Sequence, residues 1–519
     1  MSTSNAPTLR ISPLTVPYLG LLASLQLIDP SVANIALVKA GHTLQMHGAT
    51  LALAASVSTL AQAATVLVMG FLGDRLGRRR VLAASLVLAV IGDGIALLAP
   101  DAGLFLLGRA LTGIALGSVL AASFASVRFV SSPKTLASAL GLWNLLIVAG
   151  FVIGSLLGGS LASVNWRLAM GLVPLLSGLC LIGLIPLVPP MPANRSLRAD
   201  VPGLVSIAAA MVLFLYGVSQ AVTGLTRPAF WLPTLAGLAL FAIHYGIERV
   251  SHQPLFPPRL YERGLFAAAV VSGIGWNFAQ SVVQLQTSNF WQVVQRFSTT
   301  QVALGQLPLL ICFGGGGILA GRMMRPGRRT LQLMGAGSLV LVLGVGLLGG
   351  LRATTPYPLL LPSLILVGLG LAFVAVPQST LFVQEAPAAN VGAVTAFRTT
   401  TGQLGFAIGL AASGAMVSGF GFADLRQTLL EAGVTEAAMA GVMEQVKRLL
   451  QGSGAGSGAS GGMESALRDA VSSAYARGLA GTMLVVAAIT ALLLIISLLL
   501  LIIGREQQLL DQAGVHPDG

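Results

Sequence analysis

Three ionisable side chains stand inside stretches of sequence otherwise built to avoid water. Asp29 follows Leu25-Gln26-Leu27-Ile28, Asp93 sits in Val90-Ile91-Gly92-Asp93-Gly94-Ile95, and Arg109 sits in Leu106-Leu107-Gly108-Arg109-Ala110-Leu111. A charge at mid-bilayer costs about 2.5–3.5 kcal/mol on insertion scales, so such residues are rare and turn toward protein or water. A carboxylate in that setting can exchange a proton, because burial favours its neutral form and a nearby arginine its charged form. Asp93 lies eight residues before Asp101 and Arg109 eight after it. A helical hairpin turning near Asp101 therefore puts both at one depth, at a rise of about 1.5 Å per residue. Asp29 lies nine residues before the predicted outer end of its own helix, at a similar depth. Arg109 can pair with either carboxylate. A fixed Asp93–Arg109 structural pair would leave Asp29 as the free, titratable group. The competing reading has Asp29 only bonding backbone beside Pro30.

These residues need elements that carry them across a bilayer. The chain has 519 residues, 55% apolar and only 9% charged. Soluble domains are about a quarter charged, so this chain has little with which to face water. Runs of about 20 apolar residues cross a hydrocarbon core. They recur here near 14–38, 49–72, 81–99, 103–129, 135–162, 167–188, 202–222, 229–250, 265–294, 300–322, 330–351, 358–384, 391–420 and 478–503. Numbered in order, they predict an all-α membrane protein of fourteen spans. Only 421–477 is long enough to be anything else. Its amphipathic run 422–450, Gly/Ser tract 452–462 and second run 463–477 predict a helix–linker–helix over the outer mouth, or a plain connector.

A net charge of +12 could suggest nucleic acid, but its placement says otherwise. With the N-terminus inside, the inner side collects Arg10, Arg75, Arg78, Arg79, Arg80, Arg128, Lys134, Arg195, Arg198, Arg249, Arg259, Arg263, Arg322, Arg325, Arg328, Arg329, Arg398 and Arg505. The outer loops hold Lys39, Arg167, Arg227, Arg296 and Arg352. This positive-inside bias sets both termini in the cytoplasm and makes the basic excess topological, with no nucleic-acid partner. Arginine preferred to lysine, beside heavy alanine and glycine use, associates with bacterial genomes and hence a bacterial inner membrane. Cys180 and Cys312 both fall inside spans and give no disulfide or metal spacing. His42 and His47 lack nearby acids and His244 is alone, so no metal or nucleophile constellation forms, and neither an enzyme nor a cofactor is expected.

Span 9 carries a polar stripe at helical spacing: Asn277, Gln280, Gln284, Ser288 and, at the outer end, Trp291. In lipid each amide needs a partner, so the stripe should face an aqueous cavity or serve as hydrogen-bonding glue between helices. Trp143 and Asn144 in span 5 and Trp276 in span 9 are weaker candidates for the same cavity.

Internal repetition follows from two loops. Gly70-Phe-Leu-Gly-Asp74-Arg75-Leu-Gly77-Arg78-Arg79-Arg80 joins spans 2 and 3, and Gly317-Ile-Leu-Ala-Gly321-Arg322-Met-Met-Arg325-Pro-Gly327-Arg328-Arg329 joins spans 10 and 11. Two six-helix units, 1–190 and 265–519, would then flank a linker of 191–264 with two inserted spans, unless two Gly/Arg loops are alike by chance. The first loop resembles the signature loop of the major facilitator superfamily nearly position for position. Asp29-Pro-Ser-Val-Ala-Asn34-Ile-Ala-Leu37 is similar to the span 1 segment of its fourteen-helix drug:proton antiporters. Leu107-Gly108-Arg109 through Gly117 is similar to that group's intramembrane arginine motif. Gly150, Gly154, Gly158 and Gly159, followed by Trp166-Arg167 and Pro174, resemble its span 5 antiporter motif, with Ser155 where the pattern usually has proline.

The resemblance implies that Gly70, Asp74, Arg75, Gly77 and Arg78 latch the two halves in one conformation; a purely topological anchor is the alternative. It implies that spans 1, 4, 9 and 12 line a central cavity, setting the span 9 amides opposite Asp29 and Arg109 with Asn34 nearby. The expected function is proton-coupled export of small lipophilic compounds, cationic ones among them, by a monomer in the bilayer. Proton coupling would rest on Asp29, Arg109 and Asp93. A lipid or metabolite exporter on the same fold is the alternative, and a non-transporting receptor using 421–477 the more distant one.

Overall fold

The computed structural model describes residues 12–512, except 47, 192, 198–199, 224–225, 252–253, 255–259, 261–262, 325–327, 387–390 and 432–461. No strand occurs among the described residues, and fourteen helices there are long and apolar enough to cross a membrane. They are α1 (Thr15–Thr43), α2 (Gly48–Leu76), α3 (Arg78–Leu98), α4 (Ala102–Val130), α5 (Leu136–Val164), α6 (Trp166–Leu187, broken at Gly171) and α7 (Val201–Ser219). The rest are α8 (Pro228–Val250), α9 (Gly264–Val293), α10 (Thr299–Met323), α11 (Arg328–Leu347), α12 (Tyr357–Glu385), α13 (Val391–Glu431) and α14 (Gly462–Gln512).

Local chemistry punctuates them. Asp101 caps α4 by accepting the Leu104 N–H at 2.9 Å. Ser298 and Gln301 form a reciprocal capping box at the start of α10. Gly77 turns α2 into α3 at φ +92°, which a side chain resists.

The helices α1–α6 share one core, with Leu22, Leu86, Ala115 and Val119 fully shielded. A second core joins α9–α14 through Val282, Leu341, Leu364 and Met483. A third crosses between these bundles near the Arg75–Arg80 end, where Val66, Leu67, Phe71 and Ala121 meet Phe266, Phe382 and Val394. We call this the basic end. The α7 helix leans on α2 and α13 through Met211, Phe214, Ala63 and Ala411. Its partner α8 turns Leu232 and Leu235 outward, as a lipid-facing helix should.

The interval 421–477 differs from the expectation of a separate loop. α13 continues unbroken to Glu431 and α14 begins at Gly462, so both flanks extend their spans. The two helices touch at Gly421 and Gly478, where an added Cβ on Gly478 would lie 2.7 Å from the Gly421 nitrogen. Leu425 and Tyr475 are buried, and Tyr475 donates to Gln286 Oε1 at 3.0 Å. The intervening Gly/Ser tract lies outside the described residues.

Candidate functional site

Glycine next to charge explains how α3 and α4 present their ions. An added Cβ on Gly108 would come 2.6 Å from the Ala96 nitrogen, and one on Gly92 2.7 Å from the Thr112 nitrogen, so the two backbones touch. Asp93 and Arg109, each one residue further on, therefore meet inside the hairpin. Helix α1 is pressed in from the other side by α5. Ser24, Ile28 and Val32 fill the notches left by Gly150, Gly154 and Gly158, as small residues permit at close helix crossings. Gly159 takes no such knob; its nearest neighbour is Ile35, at 3.8 Å from an added Cβ.

The result is one guanidinium between two carboxylates. Arg109 Nη1 donates to Asp29 Oδ1 at 2.5 Å and Nη2 to Asp29 Oδ2 at 2.9 Å, a two-pronged pair. Nη1 also reaches Asp93 Oδ1 at 3.2 Å, which accepts from Thr112 Oγ1 at 2.8 Å. Ser58 of α2 donates to Asp29 Oδ2 at 3.2 Å. All three charged side chains are 3% exposed or less. Asp93 Oδ2 has no hydrogen-bond partner. This corrects the reading of Asp29 as the free carboxylate, since it holds the guanidinium with both oxygens and Asp93 keeps the open one. The reason is geometric. Asp93 shares the α3–α4 hairpin with Arg109 and meets it edge-on, whereas α1 approaches along the fork of the guanidinium.

At the basic end, Asp74 pairs with Arg78, and its Oδ2 accepts the Gly392 N–H at the start of α13, at 2.6 Å. A carboxylate at a helix N-terminus meets the positive end of the dipole and an orphan donor. Arg78 lies over the Phe129 ring at 4.1 Å. Gly70 abuts Gly392: an added Cβ would stand 2.6 Å from its carbonyl. Arg128 adds hydrogen bonds to the Val383 and Ala386 carbonyls of the other bundle. Arg75 is half-buried and makes none of these contacts.

Asn277, Gln280, Gln284 and Ser288 form the partly exposed face of α9, which shows no fully exposed residue from Gly264 to Trp291. Among the described residues the Gln280 and Gln284 side chains bond to no protein group, whereas Asn277 donates to its own Gly273 carbonyl at 2.7 Å. The Ser288 hydroxyl accepts from Gln306 Nε2 of α10 at 2.9 Å, so the stripe is tied to a neighbouring helix at that end. Trp291 is not among them: fully buried, it stacks near Phe297 and Tyr357. Trp276 is buried beside Phe313, and Trp143 beside Phe124, while Asn144 is partly exposed. The Asn34 side chain lies outside the described residues. The stripe does not open onto the charge cluster, which is sealed inside α1–α4.

Other residues emerge only from the fold. The Gln62 amide oxygen accepts from Gln26 of α1 at 3.1 Å and from Gln403 of α13 at 2.8 Å, joining the bundles at mid-height. Arg398, counted above with the inner loops, lies seven residues inside α13. Its Nε donates to Ser379 Oγ at 2.8 Å, and its guanidinium lies 4.6 Å from the Phe124 ring and 5.9 Å from that of Trp143. Such cation–π contacts return about 0.5–2 kcal/mol, less than the roughly 2.5–3.5 kcal/mol an intramembrane arginine costs. Its position inside an apolar run was the available signal.

A multi-pass membrane transporter is the class this arrangement fits. The chain belongs to the Major Facilitator Superfamily, whose sequence profile matches residues 19–410. It is 27% identical over 400 residues to the puromycin resistance protein pur8 of Streptomyces alboniger, covering 75% of this chain and 78% of that one. It is also 27% identical over 392 residues to a triacylglyceride transporter of Mycolicibacterium smegmatis, covering 72% of this chain and 69% of that one. The fold is shared with the crystal structure of the human organic anion transporter MFSD10, with a TM-score of 0.60 at 17% identity over 92% of this chain and 98% of that one.

Proposed function

We propose that this protein is a proton-coupled exporter of small lipophilic compounds in a bacterial inner membrane, working by alternating access. The observation that carries the reading is the charge count in the buried cluster: one guanidinium against two carboxylates. With both carboxylates ionised the cluster holds an uncompensated negative charge in a dry site; with one proton bound it is neutral. Asp93 Oδ2 can take that proton without displacing a hydrogen bond. The neutral cluster then keeps Arg109 on Asp29 and α1 against α4. When the proton leaves, Asp93 competes for the same guanidinium, and the hold on α1 loosens. We read 1–190 and 265–519 as the two halves that rock, with the Asp74 latch closing the cytoplasmic side. A membrane potential of 100 mV contributes about 2.3 kcal/mol per charge moved, so one such site suffices to drive export. The antibiotic named in the actinobacterial relative supports a drug-like substrate.

The test is uptake of a fluorescent lipophilic drug into inverted vesicles under an imposed pH gradient. Asp29→Asn and Asp93→Asn should each abolish gradient-driven uptake while sparing downhill exchange. Full gradient-driven uptake by both variants would sink the proton site. A lipid substrate is the second reading, favoured by the mycobacterial relative. Transfer of a fluorescent triacylglyceride in the same vesicles, with no drug uptake, would replace the first.

A further inference from the structure

Arg398 is a partly buried cation inside a membrane span, with no acid paired to it among the described residues. Among the described residues every ion pair lies elsewhere, at Asp74–Arg78, Asp29–Arg109–Asp93, His244–Glu248 and Arg263–Glu385. Among the described residues its side chain makes one hydrogen bond, Nε to Ser379, which leaves both terminal nitrogens unbonded there. Yet the residue is not sealed. It keeps partly exposed surface although Phe124, Trp143, Ser379 and Thr401 around it are all buried, and among the described side chains of α13 between Val391 and Gly402 none is fully exposed. The free side of the fork therefore opens inward.

The site is also divided between the bundles. Phe124 and Trp143 belong to α4 and α5, and Ser379 and Arg398 to α12 and α13. One turn further along α13, Gly402 packs against Asn277, where an added Cβ would lie 3.3 Å from the amide nitrogen. The cation thus stands at the foot of the partly exposed α9 amide stripe, with two aromatic rings as its floor.

We propose that Arg398 anchors an oxyanion, a carboxylate or phosphate, carried by an otherwise apolar transported molecule. Two unbonded N–H groups in a planar fork match the two oxygens of such a group, which a lysine could not do. The rings of Phe124 and Trp143 hold the guanidinium from below, and the partly exposed Gln280 and Gln284 lie along the path of the apolar body. Because the floor belongs to one bundle and the fork to the other, rocking of the halves uncovers the fork on one side and shields it on the other. This deepens the exporter reading and rests on it for the word transported; the site itself is tested by binding alone.

The probe is 11-(dansylamino)undecanoic acid, with its methyl ester as the uncharged control, titrated into purified protein in phosphatidylcholine nanodiscs without a pH gradient. The acid should bind at least about tenfold more tightly than the ester, the size expected of a charge-assisted hydrogen-bonded pair. R398Q should remove that preference and leave ester binding unchanged, and R398K should restore part of it. Adding phosphatidylglycerol to the discs distinguishes the sources of the oxyanion. Competition that R398Q abolishes assigns a lipid headgroup, and absence of competition assigns a free solute. Equal binding of acid and ester by the unaltered protein would overturn the proposal. So would an equal loss of both ligands in R398Q and R398K, which would make Arg398 structural. Failure of gradient-driven uptake alone would strike the exporter reading and leave this site standing.

Discussion

Two seams join the bundles at the basic end, and they are built alike except for charge. In the first, Gly70 of α2 meets Gly392 of α13; in the second, Gly317 of α10 meets Gly141 of α5. Aligned on Gly70 and Gly317, the two loops set Gly321 in the place of Asp74. The consequence is visible at the facing helix starts. The N-terminus of α13 receives a carboxylate, held in turn by Arg78. The N-terminus of α5 has no side-chain cap, and its nearest tie is Ser138 Oγ donating to the Gly321 carbonyl at 3.2 Å. Backbone approach is therefore the common requirement for closing this end. The charged clasp is an addition to one side; if it acts as the latch proposed above, it biases the closed state without being needed for its shape.

That distinction can be broken directly. A methyl group at Gly70 would stand 2.6 Å from the Gly392 carbonyl, and one at Gly321 2.6 Å from the Ala137 carbonyl, backbone atoms that cannot swing aside. Gly70→Ala and Gly321→Ala should each cut transport at least about tenfold, since even ~1.4 kcal/mol against the closed state suffices. A benign Gly321→Ala beside a crippled Gly70→Ala would show that the seams differ in approach as well as charge. Asp74→Asn comes next in size. It keeps an acceptor for Gly392 but loses the charge facing Arg78 and the α13 terminus, contributions of about 0.5–2 kcal/mol. Transport should fall several-fold while substrate binding and yield of folded protein hold. An equal fall in folded protein would favour the loop as a mere anchor.

Most of this architecture was legible from residue order. Fourteen apolar runs map one to one onto the fourteen spanning helices among the described residues, because in lipid a backbone must satisfy itself within a helix. The hairpin arithmetic around Asp101 brought Asp93 and Arg109 to one depth, and they touch. Spacing along a helix gives depth, however, and not azimuth. It could not say that α1 would arrive along the guanidinium fork and claim Arg109 for Asp29. The same limit hid Ser58 and Thr112, ordinary hydroxyls until neighbouring helices aim them at carboxylates. Arg398 was missed for another reason. Grouping it with the inner-side arginines matched the charge asymmetry, so its place seven residues inside a span drew no separate weight. Trp291 had the right spacing to end the α9 stripe, but α9 turns it into the packed core against Phe297 and Tyr357.

The smallest expected effect is the one that separates the seams most cleanly. Ser138 Oγ to Gly321 O is a neutral, part-buried hydrogen bond at 3.2 Å, near the long end of the useful range. Such bonds contribute about 0.5–1.5 kcal/mol net, and this geometry belongs at the low end. Ser138→Ala removes the hydroxyl without adding volume, so the Gly317–Gly141 approach is undisturbed. Transport should change by less than about threefold, against the larger loss in Asp74→Asn. The pair of variants should then combine additively, because the two seams share no contacting residue. Measured as initial rates in the same vesicles, a Ser138→Ala loss equal to that of Asp74→Asn would mean the second seam carries a clasp of its own. A double variant far worse than the sum would mean that each seam holds the closed state only with the help of the other. Either result would return the difference between the loops to sequence alone, with no mechanical consequence.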